Sequence, residues 1–405
     1  MSSVSEKDEK HDHGIAVATK EVDTGAQLVA GAAVELDEAE ATRIRRKIDR
    51  HILPLMCVLY WYGKDVVDYA MAVHVSLFRI QFMDKTTLGS AAILGIQTSA
   101  HLTTNQYNWL GTVFYLSYLV FEFPQNLALQ RFPVGKWMSL NVTIWAIALC
   151  AHAACKNFAG LFVVRLILGA CEGSITAGFL IVTSMFYTRT EQTVRVGYWF
   201  LMNGTSQIIT GFIAFGSLHI KTKGFEPWQW LMIMTGTMTL ITAICFFLFF
   251  PDSPTTAWFL TPDERAKAVQ RIKSNQTGVE NKTFKKEQFI KAITDPKTWL
   301  FALFSALDNI PNSLTNQRSL IVKSFGFTPL HTTLLGCVDG VVEIVTIFTG
   351  VKLAARIPNS RAYVAIAYFL PNIIGVFLVN FLPWSDKVGL LFSIWLTGEY
   401  ARISL

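Results

Sequence analysis

A chain of 405 residues that is 52% hydrophobic and only 16% charged, with a mean hydropathy of +0.37, is excluded from the ordinary soluble class. The net charge of +6 would suit nucleic acid, but Lys and Arg gather in short loops between apolar runs, which excludes that reading. The six cysteines, Cys57, Cys150, Cys155, Cys171, Cys245 and Cys337, form no CxxC pair. They read as small apolar packing residues, with no metal site and no disulfide framework.

Residues 1–42 are polar and charged, with Glu6, Lys7, Asp8, Glu9 and Lys10 in sequence and a solvated His11/His13 pair. They are expected to form a disordered cytoplasmic tail rather than a signal peptide. At ~20 residues per crossing, the rest of the chain holds about ten membrane spans. Span 1 lies within 52–96 and is irregular. Spans 2 to 6 follow at 107–129, 138–155, 158–186, 194–218 and 228–250. A polar stretch, 251–296, precedes span 7 (297–322), span 8 (332–353), span 9 (361–382) and a span 10 that begins near Val388.

Basic residues favour alternate loops. Arg43, Arg45, Arg46, Lys47 and Arg50 precede span 1, Arg131 and Lys136 join spans 2 and 3, and Arg189 and Arg195 join spans 4 and 5. Lys267, Arg271, Lys273, Lys282, Lys285, Lys286 and Lys291 lie in the long central loop, and Lys352, Arg356 and Arg361 join spans 8 and 9. By the positive-inside rule the N-terminus is cytoplasmic. Within the central loop, Thr261, Pro262 and Glu264 fit an N-cap, N1 and N3, which predicts a helix over Pro262–Ser274 bracing two bundles.

Several stretches resemble fungal allantoate-permease-type transporters, the anion:cation symporter branch of the major facilitator superfamily. They are Arg46–Leu55, Gln81–Leu88, Asn105–Gly111, Phe121–Pro124, Arg165–Gly173 and above all Phe250–Leu260 followed by Glu264 and Arg265. The similarity runs over about 43–398. It implies an all-α membrane protein with the major facilitator fold of two six-helix bundles, the second truncated here. It also implies proton-coupled symport of a small organic anion, allantoate-, nicotinate-, vitamin- or peptide-like, by alternating access. The corresponding domains are a first bundle at 43–250, a cytoplasmic loop at 251–296 and an incomplete second bundle at 297–405.

Three departures stand out. The loop after span 2, Gln130–Lys136, keeps Arg131, Gly135 and Lys136 but lacks the family's Asp, which weakens the expected charge latch. Removing 62–79 would join Ile52–Trp61 to Ile80–Ile96 and restore the family spacing, so this stretch reads as an insert, such as a retained intron. Val388–Leu396 is too short to cross a bilayer, which suggests truncation.

Charges inside spans are expensive and mark candidate function. Asp84 lies ~22 Å from the inner face of a repaired span 1, and Arg165 lies ~12 Å below the outer end of span 4. Arg165 is a candidate to grip a substrate carboxylate through a forked pair of hydrogen bonds. Asp84, Glu122 and Glu172 are candidate proton-coupling groups. A fixed Asp84–Arg165 ion pair is the structural alternative, and Lys85 is read as reaching toward the water interface.

Gly169 and Gly173 read as a helix-contact step. Asn203 and Gln207 in span 5, with Ser206, and Asp308, Asn312 and Asn316 in span 7, with Asn309, are candidate substrate-binding polar groups. Pro311 would kink span 7. Asp339 and Glu343 share a face of span 8 with no assigned role. The glycosylation-like Asn275-Gln-Thr and Asn281-Lys-Thr fall on the cytosolic side and are discounted.

No Walker loop, dinucleotide fingerprint, zinc spacing or nucleophile elbow is present, so neither cofactor nor enzyme activity is expected. The expected protein is a monomer in the plasma membrane, whose partners are the bilayer, a small organic anion and protons. The alternatives are a transporter-like nutrient sensor or a non-functional truncated product.

Overall fold

A computed structural model describes residues 37–56, 77–220, 222–275, 284–309, 315–357 and 361–397. These residues build helices, apart from turns and one isolated bridge between Thr222 and Phe225. In chain order they are α1 (Glu38–Met56), α2 (Leu77–Ile93), the single turn α3 (Ile96–Ser99), α4 (Thr104–Arg131), α5 (Val134–His152) and α6 (Phe158–Glu172). Next come α7 (Ile175–Phe186), α8 (Arg189–His219), α9 (Pro227–Phe249), α10 (Pro262–Ile272) and α11 (Lys286–Thr294). The chain continues through α12 (Pro296–Asn309), α13 (Thr315–Ser324), α14 (Pro329–Arg356), α15 (Arg361–Phe381) and α16 (Lys387–Leu396).

Four segments are long and apolar enough to cross a membrane by length and composition: Val134–His152, Phe158–Phe186, Pro227–Phe249 and Pro329–Leu353. The expected insert at 62–79 falls largely outside the described residues, and only Leu77, Phe78 and Arg79 appear, as the opening of α2.

Three expectations are corrected. The polar tail was read as extending to residue 42, but α1 begins at Glu38. Glu38 and Glu40 sit in its first turn, where carboxylates favour the helix dipole. One buried row, Ile44, Ile48, Ile52 and Met56, recurs every fourth residue and docks the helix.

Span 4 was read as continuous but divides into α6 and α7 at Gly173–Ser174. Gly173 lies against the backbone of Glu122 in α4, and Ser174 Oγ donates to the Cys171 carbonyl at 3.2 Å. A glycine–serine pair that diverts a carbonyl in this way is a recognised cause of a helix break.

The central-loop helix α10 forms with the expected capping box. Glu264 N donates to Thr261 Oγ1 at 3.3 Å, and Thr261 N donates to Glu264 Oε2 at 3.0 Å. Among the described residues, however, it braces α1 and α7 of the first half rather than joining two halves. Lys47 reaches Glu264 at 2.5 Å, Lys267 reaches Glu40 at 2.6 Å, and Arg271 Nη2 donates to the Phe186 carbonyl at 2.7 Å. Arg195 on α8 pairs with Asp49 on α1 at 2.7 Å.

The buried Asn275 amide closes this corner. Its Nδ2 donates to the Tyr187 carbonyl, and its Oδ1 accepts from Arg189 N, both at 3.0 Å. Asn281 lies outside the described residues.

The latch that the loop after span 2 lacks is supplied from elsewhere. Asp252, just beyond α9, accepts a hydrogen bond from Lys136 N at 3.2 Å in the first turn of α5. A carboxylate at a helix N-terminus answers both the free N–H groups and the dipole.

In lipid, helices gain little from leaving apolar surroundings, so close packing of small residues must hold them together. A Cβ on Gly169 of α6 would collide with the Phe114 carbonyl of α4, as a small-residue step requires. Gly204 of α8 and Gly340 of α14 lie so close that a Cβ on either would strike the other's carbonyl oxygen. Gly211, two turns on, faces Cys337 Sγ. The α8–α14 pair is the most extensive helix contact among the described residues.

Two outcomes are expected. Gly169→Val should lower the thermal stability of the detergent-solubilised chain by roughly 1–3 kcal/mol, the usual cost of overpacking. Gly216→Ala, whose added Cβ meets nothing, should leave it unchanged. Equal melting curves for the two variants would contradict the close approach.

The second concerns Glu264. Burial raises its pKa, but Lys47 and the Thr261 backbone N–H together outweigh burial and hold it below 4.5. A depressed carboxyl stabilises above its unfolded pKa, and that contribution is lost as pH falls through the folded value. The protection of α10 amides, measured against their intrinsic exchange rate at each pH, should therefore fall as pH drops below 4.5, and Glu264→Gln should flatten that acid response.

A polar cavity between the two halves

Four helices enclose a cavity of about 70 Å³. Helices α2 and α8 come from the first half, and α13 and α14 from the second. Thr86 and Ser90 of α2, Gln207 and Thr210 of α8, Arg318 and Ser319 of α13, and Thr333, Asp339, Glu343 and Thr346 of α14 line it. A space of that size holds a handful of waters, far short of the ~300 Å³ at which small-molecule sites begin.

Two contacts organise its charge. Arg318 forms a fork with Asp339, Nε to Oδ2 at 3.0 Å and Nη2 to Oδ1 at 2.8 Å, and Nη2 also donates to the Ile394 carbonyl of α16 at 2.7 Å. Gln207 Nε2 donates to Glu343 Oε2 at 2.8 Å, crossing from one half to the other. The fixed planar fork of a guanidinium suits two-oxygen partners, a carboxylate among them.

Of the expected substrate-binding residues, Gln207 lines this cavity. Asn203 lies one turn earlier on α8, is 1% exposed, and its Oδ1 has no hydrogen-bond partner among the described residues. Arg165 does not line it. It sits within the first half, 3% exposed, with Nε and Nη2 lacking described partners. Asp308 lies in the last turn of α12 and Asn316 in the first turn of α13, but their side chains, and the whole of Asn312 and Pro311, lie outside the described residues.

The expected proton-coupling groups form a separate cluster inside the first half. Trp145 Nε1 donates to Asp84 Oδ2 at 2.9 Å, while Asp84 Oδ1 has no described partner. Asp84 and Arg165 do not form the ion pair considered as an alternative, since the pair at this level is Lys85–Glu172 at 2.9 Å. Lys85 was read as reaching the water interface. Its ammonium instead meets the 1%-exposed Glu172 carboxylate. His152 lies 1% exposed with Nδ1 3.0 Å from the Ala148 carbonyl and Nε2 without a described partner. Glu122 is half-buried on α4, with its backbone against Gly173.

Sequence reasoning missed Arg318. The signal that flagged Arg165, a guanidinium within an apolar span, was present there too. Asp339 and Glu343 were noticed as sharing a face, and the cavity is what that face borders.

The profile of the Major Facilitator Superfamily matches residues 77–399. The chain belongs to that superfamily and is an integral membrane protein. Its relatives are fungal permeases. The thiamine pathway transporter THI73 of Saccharomyces cerevisiae is 34% identical over 87% of this chain and 64% of its own length. The allantoate permease of the same yeast is 35% identical over 82% of this chain and 59% of its own length. Its high affinity cysteine transporter is 32% identical over 82% and 62%. The chain thus spans about three-fifths of the length of these relatives.

Among solved structures, the fold resembles the proton:xylose symporter XylE bound to 6-bromo-6-deoxy-D-glucose, with a TM-score of 0.61 and 12% identity over 81% of this chain and 77% of that one. It also resembles a bacterial homolog of the human lysosomal transporter Spinster, inward-facing and unoccupied. That match has a TM-score of 0.58 and 15% identity over 91% of this chain and 74% of that one.

Removing either partner of the Arg318–Asp339 fork should destabilise more than removing both. A double-mutant cycle with Arg318→Gln and Asp339→Asn is expected to give a coupling energy of roughly 1–3 kcal/mol by thermal unfolding. Additive single effects would show that the fork contributes nothing.

Proposed function

We propose that the chain is a secondary active transporter that carries a small organic anion together with protons. The observation that carries this reading is the cavity at the meeting of two halves, walled by Arg318, Gln207, Glu343 and a ring of hydroxyls. Such walls offer one cationic fork, carboxylates able to take up protons, and short donors that fix orientation.

In this reading residues 43–250 form one moving half, 251–296 the link, and 297 onward the other. The N-terminus is cytoplasmic, the membrane is the plasma membrane, and the protein works as a monomer. The relatives' names include an allantoate permease and a cysteine transporter, which supports a small carboxylate-bearing nutrient as the substrate class. Because the cavity has room only for a few water-sized molecules, α8 and α14 must part at one end to admit such a solute. Arg165, Asn203, Asp308, Asn312 and Asn316 serve the substrate path, and Asp84, Glu122 and Glu172 serve proton coupling, beside the cavity residues Arg318 and Glu343.

Proteoliposomes containing the chain test this. An imposed acid-outside gradient should drive accumulation of a labelled substrate from a panel of ureides, vitamins and small peptides. Gln207→Ala should cut that uptake roughly tenfold or more, a loss of about 1.4 kcal/mol in transition-state stabilisation. Uptake indifferent to the gradient would sink proton coupling, and saturable binding without any flux would favour a sensor.

A further inference from the structure

Each residue of helix α11 is exposed, and it buries none. Its sequence is nevertheless two-faced. Phe289, Ile290, Ala292 and Ile293 share one side, with Phe284 just before the helix and Lys286 in the first turn on that same side, while Glu287, Gln288, Lys291 and Thr294 take the other. Phe284, Phe289, Ile290 and Ile293 are 40–52% exposed, so this apolar face is not spent on the protein's own core.

The position of the helix says what meets that face. Only Asp295 separates α11 from α12, whose Trp299, Leu300, Phe301 and Leu303 are exposed apolar residues of the stretch expected from the sequence to be span 7. A helix joined to the mouth of a span by one residue lies at the boundary between hydrocarbon and water. Trp299 Nε1 donates to the Ile293 carbonyl at 2.7 Å and fixes the turn between the two helices. A tryptophan at such a boundary is at home among headgroups. The Phe289 ring lies 6.2 Å from that of Phe123, which sets α11 against α4 as well.

Charge completes the case. Lys285, Lys286, Lys291 and Lys297 cluster around this turn against Glu287 and Asp295, an excess of positive charge. Lysine stems lie along apolar surface while their ammonium groups reach headgroup phosphates.

We propose that α11 is an interfacial anchor that sinks Phe289, Ile290 and Ile293 into the bilayer edge and binds anionic phospholipid headgroups through Lys285, Lys286 and Lys291. The occupant is the leaflet that borders α12, not a soluble phosphate. The proposal rests on α12 being a span and not on the transported solute, so it stands or falls apart from any flux measurement.

Hydrogen–deuterium exchange on the full chain tests it, in nanodiscs of phosphatidylcholine alone and with phosphatidylserine added. Amides 286–294 should exchange roughly tenfold more slowly in the anionic discs, since each lysine near an anionic surface adds attraction. The triple variant Lys285→Gln, Lys286→Gln, Lys291→Gln should lose that difference. Ile290→Ser should speed exchange in both lipids. Unchanged exchange over α10 shows that each variant remains folded. Equal exchange of the native chain in the two lipids, or slowing that survives the triple variant, overturns the proposal. So does equal slowing by soluble glycerophosphoserine in neutral discs.

Discussion

A charge held among hydrocarbon chains has no water to answer it, so the protein must supply the answer itself. The interior follows from that demand. Glu172 is answered by Lys85, Asp339 by Arg318, Asp84 in part by Trp145, and Glu343 by Gln207. Each of these answers comes from a different helix, so each of these four groups doubles as a tie between helices. The ties within the first half, Lys85–Glu172 and Trp145–Asp84, hold α2, α5 and α6 as one body. Gln207–Glu343 is different in kind, because it spans the seam between the halves beside the cavity. A single neutral-to-charged hydrogen bond is worth about 1.5–3 kcal/mol. That is enough for this one contact to contribute measurably to holding α8 against α14.

The seam itself is made of missing side chains. Gly204 and Gly340 bring the α8 and α14 backbones into direct contact, and Gly211 admits Cys337. Side chains of the facing helix seat over these glycines, Ile344 over Gly204, Ile208 over Gly340 and Cys337 over Gly211. The first half, by contrast, interdigitates large residues, with Trp145, Trp228, Phe179 and Phe246 fully buried. The described part of the second half gathers only Val322, Phe325, Leu390, Leu391 and Ile394 into a core.

Much of this could be read from the chain before any coordinates. Span boundaries were legible because hydrocarbon thickness sets a length, and α4, α5, α8 and α9 begin within a few residues of where the apolar runs do. The Thr261–Glu264 capping box was legible because its chemistry is local. The break at Gly173–Ser174 was not, since a glycine and a serine are common inside unbroken membrane helices and only the approach of α4 gives them that role. The inward turn of Lys85 was also hidden. Its partner lies on another helix, and a lysine near the end of a stem is equally able to reach water. Gln207 was singled out for its polarity, but its partner Glu343 was visible only as a carboxylate on a face. Arg318 shows the opposite failing, a residue whose own signal was plain and went unweighed beside the Asn-rich stretch before it.

The carboxylate that caps α5 is borrowed. Asp252 comes from beyond α9 and is 116 residues distant from the amide it meets. The opening turn of α5 is therefore not self-sufficient. During synthesis its N–H groups stand uncapped from the moment the second loop emerges until the ribosome has delivered everything through the sixth crossing. An error on either side of that corner leaves a finished-looking bundle with an unlocked edge.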